Sequence, residues 1–209
     1  SIPFGLTLAA VCLVGGVLLA VALPPLFLLV LAGYLVLTTG YSFYLKQFVL
    51  LDVIVLAQLY TVRVYGGGAA TGVAPSHWLL TFSLFLFLSL ALVKRFTELR
   101  LMSQTEGKGL HGRGYWVTDL EHVSSIGTAS GLLAVLVLAL YISSKEVLLL
   151  YTHADVLWLV CPVMLYWISR VWMLAYRNQM DDDPVVFAVK DPKSYAMAAI
   201  IAAILFFAK

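Results

Sequence analysis

Residues 5–43 read GLTLAAVCLVGGVLLAVALPPLFLLVLAGYLVLTTGYSF, and this stretch decides the fold class. It contains two uncharged apolar runs, 5–23 and 26–43, separated by Pro24-Pro25. Each run is close to the ~20 residues that a helix needs to cross a bilayer. The first run lacks the basic flank of a signal peptide and leads directly into the second. The pattern predicts a hairpin of two membrane helices with a tight turn at the prolines.

Similar apolar runs recur along the whole chain. They lie at 48–65, 77–93, 123–142, 155–176 and 193–208. Of the 209 residues, 62% are hydrophobic and 11% are charged, against about 45–50% and about 25% in soluble domains. The runs do not alternate as barrel strands do, and helices satisfy their own backbone hydrogen bonds in lipid. We therefore predict an all-α membrane protein, a single transmembrane domain over 1–209 with seven transmembrane helices, and exclude a soluble enzyme.

The basic residues divide the connections between the runs into two sides. Seven spans place the loops near 44–47, 94–122 and 177–192 on the side of the N-terminus. The basic residues on this side are Lys46, Lys94, Arg95, Arg100, Lys108, Arg113, Arg177 and Lys190, whereas the other side has Lys145 and Lys209. The positive-inside rule places the basic side in the cytoplasm. We expect a multi-pass protein of the cell membrane whose site faces the cytoplasm.

The third run carries two ionisable residues, Asp52 and Arg63, on one helical face. They lie about 16 Å apart along the helix axis, too far to pair directly. Ionisable residues within a span usually face the bundle interior or a wet cavity, so this stripe can line a polar cavity. The alternative is that Asp52 caps the helix at the interface while Arg63 extends to the far surface.

A charged cluster, KRFTELR, follows the fourth run at 94–100. Lys94 and Glu98 form an i,i+4 pair, and Arg95 adds positive charge at the membrane boundary. Such a cluster can hold a phosphate, because arginine donates a bidentate fork and lysine acts as a point charge. An ordinary basic flank after a span is the alternative.

Three later segments carry weaker signals for ligand binding. The glycines of GRGY at 112–115 permit close approach of the backbone around Arg113 to an anion. Arg170 lies near the end of the sixth run, where it either faces the cavity to bind an acid or belongs to an interfacial aromatic belt. Asp182 and Asp183 offer the oxygen ligands that hard cations prefer. The alternatives for these carboxylates are a solvated loop or an Asp-Pro start of the next element.

One further pattern predicts packing rather than chemistry. Gly127 and Gly131 form a small-xxx-small surface on the fifth run, which is typical of close contact between membrane helices.

Taken together, six segments of the chain resemble the UbiA superfamily of intramembrane prenyltransferases. They are YSFYLK at 41–46, LLDV at 50–53, LYTVRV at 59–64, KRFTEL at 94–99, GRGY at 112–115 and DDPVVFA at 182–188. The resemblance covers essentially the whole chain and is closer to the branch related to decaprenyl-phosphate phosphoribosyltransferase. It implies a bundle of nine helices around a cavity open to the cytoplasm and to lipid, with the seven runs corresponding to the last seven helices.

The resemblance also implies a ligand and a cofactor. Family members bind a polyprenyl phosphate or diphosphate, and Mg²⁺ typically bridges carboxylates and the diphosphate. Tyr41 and Lys46 match a tyrosine–lysine element implicated in phosphate binding. The first two helices and the first acidic motif have no counterpart here, so we expect little or no activity from this chain alone. Lys94 and Arg95 stand where the second acidic motif is expected, which suggests direct cation contact with a phosphate.

The resemblance implies a membrane transferase that moves a 5-phosphoribosyl group from phosphoribosyl diphosphate (PRPP) to a polyprenyl phosphate. The expected phosphate or substrate contacts are Tyr41, Lys46, Arg63, Lys94, Arg95, Arg113 and Arg170. Asp52 and Glu98 are the catalytic candidates, and Asp182 and Asp183 are the candidate ligands of Mg²⁺. Classical prenyl transfer from a polyprenyl diphosphate to an aromatic or other small acceptor remains an alternative, as does a transporter or structural membrane protein. Nucleic acid is not an expected partner.

Overall fold

The computed structural model describes residues 2–104, 112–180 and 183–209, and these ranges consist of helices and the segments that join them. The α-helices are α1 (Ile2–Val21), α2 (Pro25–Phe43), α3 (Leu51–Thr71), α4 (His77–Gln104), α5 (Leu120–Ile142), α6 (Lys145–Leu150), α7 (Val160–Tyr176), α8 (Pro184–Lys190) and α9 (Pro192–Ala208). Short 3₁₀ turns lie at Leu45–Gln47, Val117–Asp119 and Ala154–Leu159. In the described part of the chain, the predicted all-α architecture is confirmed.

Five segments of the described chain are long and apolar enough to cross a membrane. They are Pro25–Phe43, Leu51–Thr71, His77–Gln104, Val117–Ile142 and Ala154–Tyr176. Helices α8 and α9 are bent by 77° relative to each other and would together form a sixth span. Within α1, the apolar stretch Thr7–Val21 is shorter than these five segments. The protein is thus a multi-pass membrane protein, while the number of seven spans stays a prediction.

The hairpin at the N-terminal end follows from its two prolines. Helix α1 ends at Val21, and α2 begins at Pro25. A proline at the first helical position needs no backbone N–H partner, and its fixed φ is already helical. The turn predicted at Pro24-Pro25 is therefore confirmed. None of the residues of α2 is buried, so this helix presents apolar side chains to its surroundings.

Helix α3 continues beyond its predicted end at 65, through a run of three glycines. It stops only at Gly72, whose φ of +73° places it in the left-handed region. The N–H groups of Gly72 and Val73 both donate to the carbonyl of Gly68, which is a Schellman-type cap. A Cβ at position 68 would lie 2.5 Å from the Val73 carbonyl oxygen, so the returning chain requires glycine there. The glycines belong to a segment long and apolar enough to cross a membrane, Leu51–Thr71. Backbone groups inside a membrane need partners within the protein, which favours a helical glycine run.

Helix α4 also runs past its predicted end at 93, and the segment KRFTELR lies on this helix. The start of the predicted loop 94–122 is therefore wrong. The reason is an apolar face beneath the charges: Phe96 and Leu99 are buried. The Phe96 ring packs 5.7 Å from the Trp172 ring and 4.6 Å from the Tyr176 ring, centroid to centroid. The predicted loop 177–192 likewise contains helix α8.

The core of the bundle lies where α4, α5 and α7 meet. A Cβ at Gly127 would lie 2.2 Å from the Trp172 ring, and one at Gly131 would lie 2.5 Å from Ile168. The Ser89 hydroxyl accepts a hydrogen bond from the Trp172 indole (3.0 Å) and donates to the carbonyl of Gly127 (2.8 Å). The packing interpretation of the two glycines is confirmed, since larger residues would separate the helices.

Helices α8 and α9 both begin at an Asp-Pro pair. The Asp183 carboxylate accepts hydrogen bonds from the backbone N–H groups of Val185 and Val186, and Asp191 accepts one from Ser194. Aspartate is a favoured N-cap, and proline suits the first turn. The alternative interpretation of Asp183-Pro184 as the start of a new element is thus confirmed.

Candidate functional site

A buried ion pair links the beginning of α3 to α4. Asp52 is 0% exposed and Arg95 is 1% exposed. The Arg95 Nε donates to the Asp52 Oδ2 at 2.6 Å. Removing two charges from water is expensive, so a buried pair persists only where the remaining polar atoms also find partners.

Tyr115 supplies the second partner of the Asp52 carboxylate. Its hydroxyl donates to Asp52 Oδ1 at 2.7 Å and accepts from the Leu50 N–H at 2.9 Å. Burial, followed by the hydrogen bond to Asp52, raises the pKa of Tyr115, so the hydroxyl stays protonated as a donor. Leu50 has a φ of +63°, which is unusual for a branched residue. Tyr115 therefore fixes both the carboxylate and the strained residue that precedes α3.

Arg95 has a second carboxylate partner, Glu98, one turn along α4. The guanidinium is thus shared between Asp52 and Glu98, and only Glu98 retains an exposed surface. Because Asp52 and Arg95 are enclosed, neither can touch a substrate in this conformation. They position α3 and α4, and the Glu98 carboxylate is the part of this network that solvent reaches.

The segment 112–116 packs against the segment between α2 and α3. Gly114 has a φ of +68°, and a Cβ there would lie 2.9 Å from the Gln47 carbonyl oxygen and 3.2 Å from Val49. The close approach that Gly114 permits is therefore to protein backbone. It brings Arg113 beside the 3₁₀ turn Leu45–Gln47. The Arg113 Nη1 lies 3.7 Å from Asp52 Oδ2 and makes no hydrogen bond, while its side chain is partly exposed.

A second ion pair lies at the edge of a cleft between α3, α4 and α8. Lys94 Nζ donates to Asp183 Oδ2 at 2.9 Å, and the two side chains are 30% and 32% exposed. The cleft has a volume of about 60 Å³. Its lining residues are Leu56, Tyr60, Phe87, Leu90, Ala91, Lys94, Asp183, Pro184 and Val185. Unlike the pair of Asp52 and Arg95, this pair is open to solvent.

The two oxygens of Asp183 have separate partners. Oδ2 accepts from Lys94, whereas Oδ1 accepts from Val185 N at 2.9 Å and from Val186 N at 3.4 Å. Burial alone would raise the pKa of Asp183, but the hydrogen bonds from Lys94 and the two backbone N–H groups lower it below its usual value. The carboxyl is therefore anionic at neutral pH.

Tyr41 and Lys46 flank this region at the end of α2. Tyr41 is partly buried and lies within electrostatic range of Arg95, Asp52, Lys94 and Glu98. Lys46 is partly exposed on the adjacent 3₁₀ turn. The structure thus brings together, at one end of the bundle, most of the residues expected to form the site. They are Tyr41, Lys46, Asp52, Lys94, Arg95, Glu98, Arg113 and Asp183.

Arg63 and Arg170 take other partners. Arg63 is exposed and donates to the Tyr34 hydroxyl on α2, with its guanidinium carbon 4.7 Å from the centre of the Tyr60 ring. Asp52 and Arg63 therefore have separate partners, and Tyr60, which the Arg63 guanidinium contacts, is one of the residues that line the cleft. Arg170 forms a two-bond pair with Asp191, at 2.6 and 3.0 Å.

The pair of Arg170 and Asp191 fixes the elbow between α8 and α9. Asp191 also accepts from the Ser194 hydroxyl, which in turn accepts from the Trp167 indole at 2.9 Å. The elbow is thereby tied to α7 by an arginine and a tryptophan.

The described residues do not form a metal cage. Asp182 lies outside the described ranges. Across 2–104, 112–180 and 183–209, no three His, Cys, Asp or Glu side chains are grouped closely enough to hold a metal. Asp52, Glu98 and Asp183 each face a cation instead.

Two apolar cavities lie along α4, α7 and α9. Each has a volume of about 340 Å³, and they share Leu86, Met164 and Ile201 as lining residues. One of them also reaches Ala188 and Val189 of α8. Helix α8 therefore borders the charged cleft at its start and an apolar cavity at its end.

Sequence reasoning missed three contributors to this region, Tyr115, Tyr34 and Asp191. Asp191 could have been found, because an aspartate before Pro192 is a helix-capping signal. Tyr115 lies within the GRGY segment but no role followed for it, and Tyr34 gave no signal, since the partners of both are distant in sequence.

Comparisons with known proteins reveal related sequences. The chain is 36% identical over 204 residues to the uncharacterized protein y4nM of Sinorhizobium fredii, over 97% of this chain and 39% of that protein. It is 34% identical over 163 residues to the nodulation protein NoeC of Azorhizobium caulinodans, over 78% of this chain and 53% of that protein. It is 34% identical over 83 residues to the decaprenyl-phosphate phosphoribosyltransferase of Mycobacterium tuberculosis, over 40% of this chain and 28% of that protein.

No protein-family model matches the chain. The chain spans about two fifths of the length of y4nM and about half of the length of NoeC. The similarity to decaprenyl-phosphate phosphoribosyltransferase covers about two fifths of this chain. The chain is thus an all-α, multi-pass membrane protein with partial sequence similarity to a transferase.

Proposed function

We propose that the protein is a UbiA-type membrane transferase that moves a 5-phosphoribosyl group from PRPP to a polyprenyl phosphate. In this proposal it is a multi-pass protein of the cell membrane, and its polar end faces the cytoplasm, where the water-soluble donor is available. The similarity to decaprenyl-phosphate phosphoribosyltransferase supports this choice of reaction.

The observation that carries the proposal is the arrangement of polar and apolar surfaces around α8. Lys94 and Asp183 border the cleft at the start of α8, and Ala188 and Val189 border an apolar cavity near its end. A polyprenyl phosphate combines one anionic group with a long apolar chain. Such a ligand matches a cleft that offers Lys94 to the phosphate and lies on the same helix as an apolar cavity, because each part then meets a surface of its own polarity.

The proposed reaction exchanges one bond for another at C1 of the ribose. An oxygen of the lipid phosphate attacks C1, the bond between C1 and the diphosphate oxygen breaks, and diphosphate leaves with the bonding electron pair. The protein has to hold the two substrates in line and stabilise the negative charge of the leaving group. Lys94, Arg113, Lys46 and Tyr41 are the side chains proposed to contact the phosphates.

The buried pair has a different role in this proposal. Asp52 and Arg95 hold the ends of α3 and α4 in place, and Tyr115 ties the segment that bears Arg113 to them. Glu98, the partly exposed carboxylate of the network, is the catalytic candidate that a bound substrate can reach. Arg63 and Arg170 are proposed only as more distant contributors to substrate binding.

Mg²⁺ is proposed as the cofactor, and in this proposal it binds through the diphosphate of PRPP. It would neutralise charge on the leaving diphosphate. The described carboxylates do not form a cage for it, and Mg²⁺ commonly binds through substrate phosphates with one or two carboxylates. Of the two ligands expected from the chain, Asp182 lies outside the described ranges and Asp183 is paired with Lys94, so the proposal holds Mg²⁺ on the substrate phosphates.

The experiment is a transfer assay with the protein in its full natural length, purified in detergent. PRPP labelled in its ribose is incubated with decaprenyl phosphate and Mg²⁺. We expect label in the lipid-extractable fraction, one diphosphate released per label transferred, and loss of the reaction with EDTA. Absence of transfer, together with prenylation of an aromatic acceptor from a polyprenyl diphosphate, would contradict the proposal and favour classical prenyl transfer.

A further inference from the structure

We infer that the Asp183 carboxylate occupies the position beside Lys94 that a substrate phosphate takes, and that the phosphate binds by exchanging with it. This inference rests on the proposed function, because it names the contact that the phosphate makes in the same site. It assigns Asp183 the role of an internal competitor, which differs from that of a metal ligand.

The exposure of the ion pairs supports exchange at Lys94. The pair of Asp52 and Arg95 is fully enclosed, and breaking it would leave a buried charge without a partner. The pair of Arg170 and Asp191 is 14% and 9% exposed and has two hydrogen bonds. The pair of Lys94 and Asp183 has one hydrogen bond and about a third of each side chain exposed. Exposed pairs contribute little net stability, so a phosphate can replace Asp183 at low cost.

The two Asp183 oxygens have different partners, and this makes the exchange compatible with the fold. Lys94 binds Oδ2, whereas the N-terminal N–H groups of α8 bind Oδ1. Loss of Lys94 as a partner therefore leaves the cap of α8 in place. The helix keeps its start while Lys94 turns to the ligand.

The cleft beside this pair provides the entrance. Its lining includes Tyr60 and Phe87, which stack with their ring centres 4.8 Å apart, and Val185 at the start of α8. A phosphate that enters here reaches Lys94 without disturbing the buried network of Asp52. The phosphate can belong to the lipid or to the diphosphate of PRPP, and the two sources differ in whether an apolar chain accompanies it.

The test is Asp183→Asn in the full-length protein. Asparagine caps helices about as well as aspartate, so the cap of α8 is retained while the competing charge is removed. Binding is measured by calorimetry without Mg²⁺, using inorganic diphosphate in one arm and geranylgeranyl phosphate in detergent in the other. We expect the dissociation constant of at least one probe to fall about threefold, in keeping with the small net strength of an exposed pair. The arm that responds identifies the source of the phosphate.

Four further variants separate this inference from its rivals. Lys94→Gln should weaken binding of the same probe, and adding Asp183→Asn to it should restore none of the affinity. Asp183→Ser, which also caps helices, should reproduce the effect of Asp183→Asn. Asp119→Asn is the matched control: Asp119 also accepts a hydrogen bond from a backbone N–H, that of Trp116, and its replacement should leave both affinities unchanged.

Unchanged or weaker binding of both probes by Asp183→Asn and Asp183→Ser would overturn the inference. The inference would also be overturned if Asp183→Asn weakened probe binding only when Mg²⁺ is added, because that result makes Asp183 a metal ligand. The proposed function fails separately. If the variants bind a probe more tightly but the wild type transfers no phosphoribosyl group, the exchange stands and the reaction does not.

Discussion

The buried pair of Asp52 and Arg95 allows a prediction whose size follows from its surroundings. Removing one member of a buried ion pair typically costs about 3–5 kcal/mol, because a charge is left without compensation. In Arg95→Met, Asp52 keeps the hydrogen bond from Tyr115, and Arg113 is only 3.7 Å away. The expected loss is therefore near the lower limit, about 3 kcal/mol. In Asp52→Asn, Arg95 keeps Glu98, and we expect a loss of about 2 kcal/mol.

The double variant is more informative than either single variant. Once both charges are gone, no buried charge lacks a partner, so the combined loss should be well below the sum. We expect a coupling free energy of about 2 kcal/mol between the two positions. The assay is reversible unfolding in mixed micelles, followed by circular dichroism and extrapolated to zero denaturant. Glu121→Gln, at an exposed position, should change the free energy of unfolding by less than about 0.5 kcal/mol.

Two results would refute this reasoning. Single losses below about 1 kcal/mol would show that the pair is hydrated in the membrane protein. Strictly additive losses would show that the two side chains do not share their stabilisation.

Three more predictions test other parts of the structure. Gly127→Ala should destabilise the protein by about 1–3 kcal/mol, because its Cβ would lie 2.2 Å from the Trp172 ring, whereas Gly33→Ala, with open space around it, should not; melting temperatures in detergent compare them. Tyr115→Phe should cost about 1–3 kcal/mol in the same assay, since Leu50 N–H and Asp52 both lose a partner, and an unchanged melting temperature would contradict the contact. The pKa of Asp183 is lower in the folded protein than its ordinary value of 3.8, so its stabilisation is fully present above the unfolded pKa and is lost as the pH falls through the folded pKa. The stability difference between wild type and Asp183→Asn should therefore be constant from pH 7 to about pH 5 and shrink below about pH 4, and a difference that grows on acidification would contradict the assigned hydrogen bonds.

The membrane helices could be predicted because apolar length is a property of the local sequence. The turn at Pro24-Pro25 and the packing glycines of α5 followed from local signals as well. The ends of α3 and α4 could not be predicted. Composition suggested that the glycines at 66–68 and the charges from 94 onward were loops, whereas capping at Gly72 and burial of Phe96 keep both segments helical.

The candidate site was predicted only in part, for a related reason. Sequence spacing indicated which residues carry charge, and most of them do meet at one end of the bundle. It could not indicate how they pair. Lys94 and Arg95 are neighbours in sequence. Arg95 nevertheless forms a buried pair with Asp52, whereas Lys94 pairs with Asp183 at the edge of a cleft. Those pairings depend on contacts between distant segments, which periodicity does not encode.

The most direct test of the proposed function is the rate of phosphoribosyl transfer in the Lys94→Gln variant of the full-length protein. Transfer from labelled PRPP to decaprenyl phosphate is compared in wild type, in Lys94→Gln and in Lys145→Gln, which removes an exposed lysine far along the chain from the site. We predict transfer by the wild type, the same rate for Lys145→Gln, and kcat/KM at least tenfold lower for Lys94→Gln, equivalent to about 1.4 kcal/mol of transition-state stabilisation. Equal values of kcat/KM for Lys94→Gln and wild type would contradict the account.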